Sequence, residues 1–456
     1  MHERLSTTVS RRRLLGGILA GGAAASVLPL AKAQASVAAR PVAATTPSAS
    51  TFFADAGINF QALFALGAAG YGASEVGEVL AIFDRIHARG DGYGDVYAEF
   101  LAAGLLLREQ GDEARRRGLR ETAFARYLRS AMYLDQALFF VLGSDQPTRA
   151  NEGRVYREME RSWSLAAGLW RKPFKRVRIP YGDGALPGWL LLADGAGSRS
   201  RRPTIILNNG SDAQNVDMWV YGGAAALERG WNALIFEGPG QGSNLFLRDV
   251  AFRPDWEAVI TPVVDFLRGR LEVDRRRIAL AGQSFGGYLV LRAAAHEHRL
   301  AAVVADPGVV DVFVSWRKGL PPPLIEMLDA GDRSGFDALW SEIETSLSAE
   351  SRFGIAKRIE IYGDGSFYDQ LSLAREFVLS REQVRRISSP TAVLSPEGEQ
   401  FFPGQPETAY DWLDVPKELL RFTAAEGAQF HCEPMAPQRR NERVFDWLEK
   451  NLEPTS

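Results

Sequence analysis

Residues 277–296 constrain the fold more than any other part of the chain. They read Arg-Ile-Ala-Leu-Ala-Gly-Gln-Ser-Phe-Gly-Gly-Tyr-Leu-Val-Leu-Arg-Ala-Ala-Ala-His. Residues 278–281 have the length and apolar content of a buried parallel strand, and the Ala- and Leu-rich run from Tyr288 favours a helix. A Gly-x-Ser-x-Gly motif lies between them, with Ser284 at its centre. This order predicts a sharp turn that lifts the Ser284 hydroxyl above the end of a strand, as a nucleophile requires.

Short apolar runs with the character of strands recur on both sides of this stretch. They are residues 204–207, 232–236, 300–305, 391–395 and 418–423. Two further runs, 174–180 and 186–192, flank a Tyr-Gly-Asp-Gly turn and predict a hairpin. Helical patterns alternate with the strands from residue 204 onward. The sequence therefore predicts an α/β fold with a mostly parallel sheet covered by helices.

The pattern changes before residue 172 and again after residue 306. Residues 51–171 carry apolar side chains at helical spacing, which predicts an all-helical N-terminal domain. Residues 172–306 and 387–456 are then the two parts of the α/β core. Between them, residues 307–386 are rich in aromatic side chains and include three consecutive prolines. We predict that this insertion caps the carboxyl edge of the sheet and shapes a substrate cavity; an ordinary surface excursion is the alternative.

The first 35 residues predict a signal peptide. A Ser-Arg-Arg-Arg run at 10–13 precedes an uncharged Ala-, Gly- and Leu-rich stretch, and residues 31–33 and 33–35 both fit a cleavage site. Arginines before a weakly apolar stretch are typical of the twin-arginine export route. We therefore expect the twin-arginine machinery as a partner and a periplasmic or secreted location. A basic tail on a cytoplasmic protein is the alternative. Residues 36–50, rich in Ala, Pro, Ser and Thr, predict a linker.

Charge and composition argue against several other classes of protein. The net charge of -3 does not favour nucleic acid or an anionic membrane surface, and the Gly- and Ala-rich apolar run is too short to predict stable membrane insertion. The single cysteine, Cys432, excludes an intrachain disulfide and a Cys-based metal site. The turn at 237–242 (Glu-Gly-Pro-Gly-Gln-Gly) resembles a dinucleotide fingerprint, but Pro239 removes a backbone donor and no helix clearly opens there. We expect neither a cofactor nor a metal.

A serine hydroxyl becomes a useful nucleophile only when a base takes its proton. Four of the five histidines lie outside the core or too far along the helix after Ser284: His2, His87, His296 and His298. His431 follows the last strand pattern, at the sheet edge where the serine is expected. We therefore predict that His431 is the base; a surface-loop histidine is the alternative.

An acid that orients the base and donors for an oxyanion complete the predicted site. Glu399 lies a few residues past a strand, just before a hydrophobic pair and a proline, which is where many such enzymes carry the acid. Glu397 and Asp306 are the alternative acids. Backbone N–H groups of Phe285 and Ser211 are predicted to form the oxyanion hole. A plain polar turn is the alternative reading of the loop that contains Ser211.

From about Lys172 onward the chain resembles the α/β-hydrolase family. The turn at Ser284, the Glu-Gly-Pro-Gly-Gln-Gly turn and His431 carry the resemblance. The helical domain, including residues 118–131, is similar to the branch that contains 2,6-dihydroxypseudooxynicotine hydrolase, fungal heptaketide-shortening pigment hydrolases and fermentation–respiration-switch-type esterases. In that branch the helical domain covers the active site, and several members cleave carbon–carbon bonds beside a ketone. Related hydrolases with helical caps often dimerise, so the resemblance also implies a homodimer.

These features together predict a cofactor-free serine hydrolase with a Ser284–His431–Glu399 triad. The expected substrate is a small molecule in which an ester bond, or a carbon–carbon bond next to a ketone, is cleaved. An exopeptidase of the acylaminoacyl-peptidase kind and a catalytically silent binding protein on the same scaffold are the alternatives.

Overall fold

The computed structural model describes residues 51–172 and 174–452. The predicted signal peptide and linker lie outside these residues. The described chain begins with helices packed against one another: α1 Ala56–Gly67, α2 Val76–Arg89, α3 Tyr93–Arg116, α4 Arg120–Phe139 and α5 Arg149–Leu169. Buried apolar side chains from each of these helices meet in their shared core, among them Phe83, Phe100, Leu134 and Trp163. Strands begin only after α5, at Lys175.

One eight-stranded sheet forms the core of the described residues, in the order β1-β2-β4-β3-β5-β6-β7-β8. Its strands are β1 Lys175–Tyr181, β2 Gly184–Leu191, β3 Arg202–Asn208, β4 Asn232–Phe236, β5 Val273–Gln283, β6 Ala302–Asp306, β7 Thr391–Pro396 and β8 Lys417–Phe422. The hairpin β1–β2 is antiparallel, and β3 to β8 are parallel. The predicted α/β fold with a mostly parallel sheet is confirmed.

Helices connect the strands and cover both faces of the sheet. Before β6 they are α6 Asn215–Met218, α7 Ala224–Glu228, α8 Gly242–Arg248, α9 Glu257–Arg268 and α10 Phe285–Ala294. Helical structure between β3 and β4 starts at Asn215 and is interrupted by a π-helical segment. The interruption has a backbone cause, because Gly222 has a φ of 148° and cannot continue an α-helix.

A helical segment separates β6 from β7, within the predicted insertion. It contains α11 Val314–Gly319, α12 Pro322–Ala330, α13 Arg333–Glu344, α14 Ala349–Ile359, α15 Phe367–Ala374 and α16 Arg381–Val384. This segment contacts the N-terminal helices through stacked rings: Phe353 on α14 lies 4.4 Å from Tyr93. The chain ends with α17 Gln405–Trp412, β8 and α18 Pro437–Leu452. No helix in the described ranges is both long and apolar enough to cross a membrane.

Candidate active site

Ser284 occupies the sharp turn between β5 and α10. Its φ of 59° and ψ of -126° are unusual for a residue with a side chain, and the surrounding structure holds it there. Its N–H donates to the carbonyl oxygen of Asp306 on β6 at 2.6 Å. A Cβ on Gly282 would stand 2.1 Å from the Gly286 carbonyl oxygen, so the first glycine of the motif is required sterically. The turn presents the serine at the carboxyl end of the central strands.

Ser284, His431 and Glu399 form a hydrogen-bonded chain across the carboxyl ends of three parallel strands. The Ser284 Oγ lies 2.9 Å from the His431 Nε2, and the His431 Nδ1 lies 2.7 Å from the Glu399 Oε2. A carboxylate at Nδ1 favours the tautomer with its proton on Nδ1. Nε2 is then free to accept the serine proton, which is the arrangement that activates a hydroxyl nucleophile.

Backbone donors and an aromatic ring hold Glu399 and His431 in place. The Glu399 Oε1 accepts hydrogen bonds from the N–H groups of Phe401 and Phe402 at 2.9 and 3.0 Å. Burial acts to raise the pKa of Glu399, but His431 and these N–H groups outweigh it and lower the pKa below its ordinary value. The Phe401 ring meets the His431 imidazole edge to face at 4.8 Å. The carboxylate is therefore ionised at neutral pH and the imidazole is fixed in orientation.

The two alternative acids lie elsewhere. Glu397 is exposed, and its carboxylate accepts a hydrogen bond from the Ala424 N–H at 2.8 Å. Asp306 is fully buried, but its Oδ2 accepts from the Arg440 Nε at 2.8 Å. In the part of the chain that the structure describes, neither carboxylate hydrogen-bonds to His431.

Three of the remaining histidines are described, and each has its own polar neighbour away from Ser284. The His87 Nδ1 lies 2.7 Å from an Asp91 oxygen, the His298 Nδ1 lies 3.2 Å from the Ser388 hydroxyl, and the His296 Nε2 lies 3.9 Å from a Glu257 oxygen. His2 lies outside the described residues. His431 is accordingly the histidine that the fold brings to the serine.

The loop after β3 lies directly against the turn that carries Ser284. A Cβ on Gly210 would stand 2.6 Å from the Gln283 carbonyl oxygen and 3.0 Å from the Ser284 Cβ, so only glycine allows this approach. The N–H groups of Ser211 and Phe285 have no acceptor among residues 51–172 and 174–452. Both residues line the same cavity as Ser284. Two unpaired N–H groups thus flank the serine from adjoining segments.

Gln241 is a site residue that the sequence reading does not single out. Its Nε2 donates to the Asn209 carbonyl oxygen at 2.6 Å and to that of Gly210 at 3.2 Å. Its Oε1 accepts from the Gly238 N–H at 2.9 Å. The side chain therefore ties the Glu-Gly-Pro-Gly-Gln-Gly turn to the loop that carries Ser211. The signal was present in the sequence, since Gln241 belongs to that turn.

The prediction that no helix opens at this turn is wrong, because α8 begins at Gly242. The start of α8 is nevertheless occupied by a carboxylate. The Glu237 Oε2 accepts from the N–H and the hydroxyl of Ser243 at 3.0 and 2.5 Å. A buried acid in this position satisfies the first turn and repels a phosphate, so the geometry does not fit a dinucleotide.

A cavity of about 190 Å³, partly open to solvent, adjoins the Ser284 hydroxyl. Its walls come from α1, α4, the loop after β3, the insertion and the loops after β7 and β8. Phe60 and Phe139 contribute from the N-terminal helices, and Trp316 and Phe353 from the insertion. Tyr127, another aromatic residue of α4, does not line the cavity. It packs in the helical core, and its hydroxyl donates to Asp112 at 2.6 Å. An apolar chamber with a few polar groups suits a small organic molecule.

Charged side chains of the cavity lie beside its aromatic walls: the Lys357 Nζ is 5.2 Å from the centre of the Phe139 ring. Burial raises the pKa of Asp217 to about 7 and raises that of Asp135 well above its ordinary value. Lys357 pairs with Glu360, Nζ to Oε1, at 2.7 Å. Within the described ranges, no group of three or more His, Cys, Asp or Glu side chains is arranged to hold a metal ion.

Comparison with known proteins identifies the family. The Alpha/beta hydrolase family matches residues 210–447. The chain is 30% identical to Hydrolase LUC6 from Fusarium sp over 88% of this chain and 97% of that protein. It is 29% identical to 20-hydroxy-prefusarin hydrolase FUS2 from Gibberella moniliformis, over 77% of this chain and 84% of that protein.

Among solved structures, 2,6-dihydroxy-pseudo-oxynicotine hydrolase superposes with a TM-score of 0.59 at 19% identity, covering 78% of this chain and 89% of that one. That likeness supports the fold. The family model covers the loop after β3, the turn at Ser284 and the loop that carries His431, which are the segments that meet at the cavity. The chain belongs to the alpha/beta hydrolase family and is a hydrolase.

Proposed function

We propose that this hydrolase uses Ser284 as its nucleophile, His431 as general base and acid, and Glu399 as the acid that orients His431. The observation that carries the proposal is the continuous hydrogen-bonded chain from Glu399 to the Ser284 Oγ at the wall of a cavity. The buried carboxylate stabilises the imidazolium that forms when the serine proton moves to Nε2.

In the proposed reaction the Ser284 Oγ attacks an acyl carbonyl carbon while His431 takes the hydroxyl proton. The carbonyl oxygen becomes an oxyanion, and the N–H groups of Ser211 and Phe285 stabilise it. The tetrahedral intermediate collapses as His431 protonates the leaving group. Water, deprotonated by His431, then hydrolyses the acyl-enzyme and restores the serine.

The proposed substrate is a small molecule that carries an ester, or a carbon–carbon bond next to a ketone. The small volume of the cavity, about 190 Å³, and its partly aromatic lining support a small molecule over a polypeptide. One relative is named as a hydrolase of 20-hydroxy-prefusarin. For a carbon–carbon bond the leaving group is a ketone-stabilised carbanion, and His431 protonates carbon instead of oxygen.

A fluorophosphonate probe tests the nucleophile. We expect the mature protein to be labelled and the Ser284→Ala variant to be unlabelled. His431→Ala should react at least about a hundredfold more slowly, because the base is gone. A matched control is Ser315→Ala, which removes another serine of the cavity wall and should leave labelling intact. Equal labelling of the wild type and Ser284→Ala would contradict the proposal and favour a silent binding protein.

A substrate panel tests the class of bond. p-Nitrophenyl esters, aryl β-diketones and aminoacyl anilides report ester, carbon–carbon and amide cleavage respectively. We expect turnover of the esters or the diketones, lost in Ser284→Ala. Turnover of the anilides alone would contradict the proposal and indicate an exopeptidase.

We also propose export by the twin-arginine route to the periplasm or outside, and a homodimer in solution. The arginine run at 10–13 supports the export proposal. Replacing Arg11 and Arg12 by Lys keeps the charge and should leave the precursor in the cytoplasm, whereas Arg4→Lys should not. Export of the double variant at the wild-type level would contradict the proposal. Light scattering of the mature protein tests the dimer, and a monomer mass would contradict it.

A further inference from the structure

Arg358 on α14 is a cation in the cavity wall without an acidic partner. Its side chain lines the same cavity as Ser284. No carboxylate oxygen lies within 4.0 Å of its guanidinium in the described residues, and no hydrogen bond of its side chain is found there. Burial lowers the pKa of Arg358 to about 10, so the group remains charged at neutral pH.

Lys357, the neighbouring cation on α14, is by contrast paired with carboxylates. The Lys357 Nζ lies 2.7 Å from Glu360 and 3.9 Å from Asp212, so its charge is matched. Asp212 is the carboxylate that acts most on Arg358, and it is already engaged by Lys357 and by the Ser211 hydroxyl at 2.7 Å. The charge of Arg358 is therefore available to a ligand.

Aromatic rings fix the guanidinium within reach of the reacting groups. Its central carbon lies 6.0 Å from the centre of the Trp316 ring and 5.8 Å from that of Phe401. The same Phe401 ring lies 4.8 Å from the His431 imidazole. The guanidinium of Arg358 and the imidazole of His431 are thus both neighbours of the Phe401 ring. A short acyl chain covers the distance between them. Rings on two sides also restrict the rotamers of the arginine, which lowers the entropy cost of binding.

We propose that Arg358 binds a carboxylate on the substrate, remote from the scissile carbonyl. The kinetic test of this inference rests on the proposed function, whereas the binding of a carboxylate by Arg358 does not. A planar guanidinium takes a carboxylate through two parallel N–H···O bonds, and a low-dielectric cavity strengthens them. Arg358 is only partly buried, and a bound carboxylate would supply the ion-pair partner that it lacks among the described residues. The substrate class is accordingly a carboxylate-bearing ester or ketone.

A pair of esters of equal length tests the proposal. The mono-p-nitrophenyl ester of adipic acid carries a carboxylate where p-nitrophenyl hexanoate carries a methyl group. We expect the wild type to favour the adipate ester in kcat/KM by about tenfold or more. The preference should disappear in Arg358→Met and be partly kept in Arg358→Lys. Arg352→Met, at an exposed position on α14, is the matched control and should keep it.

A wild-type preference for the hexanoate ester, or an adipate preference that survives in Arg358→Met, would overturn the proposal. The first outcome needs no variant, so it holds even if Arg358→Met fails to fold. The failure of the proposed function is distinguishable, since it shows as no hydrolysis of either ester and no fluorophosphonate labelling.

Binding without turnover gives an independent readout. Calorimetry on the Ser284→Ala protein compares phenylbutyrate with phenylbutyramide, which differ in charge and not in shape. We expect the carboxylate to bind about tenfold tighter or more, and the difference to vanish when Arg358→Met is added. Equal binding of the acid and the amide to the Ser284→Ala protein would contradict the assignment of Arg358.

Discussion

At the scale of single residues, the site combines a strained serine with a buried acid. A non-glycine residue in a sparsely populated backbone conformation costs about 1 to 3 kcal/mol, and Ser284 is held in one by its hydrogen bond to Asp306 and by tight packing at Gly282. Glu399 is 9% exposed and is held by two backbone N–H groups. The reactive geometry is therefore built before any substrate binds.

Two glutamates two positions apart in the sequence give a matched test of the acid. Glu399→Gln keeps the shape of the side chain but removes the charge that stabilises the imidazolium. We expect kcat for an ester substrate to fall by about a thousandfold or more. Glu397→Gln, whose side chain is exposed, should stay within about twofold of the wild type. Loss of activity in Glu397→Gln instead would reassign the acid.

We predict that Glu433, which is close to His431 in the chain, makes the unfolding free energy of the protein depend on pH. Glu433 is fully buried, and its carboxyl group, when protonated, donates a hydrogen bond to the Asp306 carboxylate. Burial and then the charge of Asp306 raise the pKa of Glu433 well above its ordinary value, against the opposing effect of Arg440. The folded protein thus holds a proton that the unfolded chain loses above about pH 4.3. Because the folded state binds more protons, this residue lowers the unfolding free energy as pH rises.

Glu433→Gln removes this dependence. Relative to the wild type, its unfolding free energy should increase steadily as the pH rises from about 5 to about 8. Urea unfolding of both proteins across this range measures the difference. A difference that is constant with pH would contradict the assignment of a proton to Glu433.

At the scale of elements, loops from neighbouring strands position one another. The loop after β7 carries Glu399, and the Gln400 Oε1 accepts the His431 N–H from the loop after β8 at 3.3 Å. Gln241 ties the loop after β4 to the loop after β3 in the same way. Parallel strands bring these loops to one edge, and side-chain amides then fix their spacing.

The hydrogen bonds of Gln241 predict a positioning role. Gln241→Met keeps the volume but frees the loop that carries the Ser211 N–H. We expect kcat to fall by about ten- to a hundredfold with KM nearly unchanged, because the oxyanion forms only in the transition state. Gln438→Met, which loses a surface hydrogen bond to Gly70, is the control and should leave kcat unchanged. A change in KM alone would indicate a role in substrate binding instead.

At the scale of the whole molecule, the cavity depends on contacts between segments far apart in the chain. Arg149 on α5 joins several of them. Its Nη1 lies 3.0 Å from Glu152 on the same helix and 3.0 Å from Glu360 in the insertion, and its Nε lies 3.1 Å from Asp249 after α8. Both glutamates are buried. The arginine therefore connects the N-terminal helices, the core and the insertion.

Loss of that arginine should destabilise the protein. In Arg149→Met the buried carboxyls of Glu152 and Glu360 lose their shared cation. Since Arg149 is itself 28% exposed, we expect the unfolding free energy to fall by about 1 to 3 kcal/mol. Arg333→Met removes an exposed ion pair with Asp369 and should leave the unfolding free energy close to that of the wild type. Denaturant unfolding measures both, and equal effects would contradict a connecting role for Arg149.

Much of the fold and part of the site follow from local sequence signals. β4 has the predicted bounds, and β7 differs by one residue, because buried parallel strands are short apolar runs ended by polar turns. The turn at Ser284 follows from glycines at fixed spacing. The start of α8 at Gly242 does not follow from the sequence. A helix start is recognised by a capping residue directly before the helix, whereas the carboxylate that caps α8 belongs to Glu237, which a turn separates from the helix.

The sequence by itself determined the strand order along the chain, the serine turn and the choice of histidine, since these depend on short-range patterns and on position. Only the tertiary structure decided which glutamate meets His431. Glu397 and Glu399 lie in the same loop, and the backbone of that loop determines which side chain points toward the imidazole. The tertiary structure also decided that Gln241 braces the loop before Ser211 and that Arg358 faces the cavity unpaired. Those outcomes depend on contacts between distant segments, which form only when the sheet edge, the N-terminal helices and the insertion pack together.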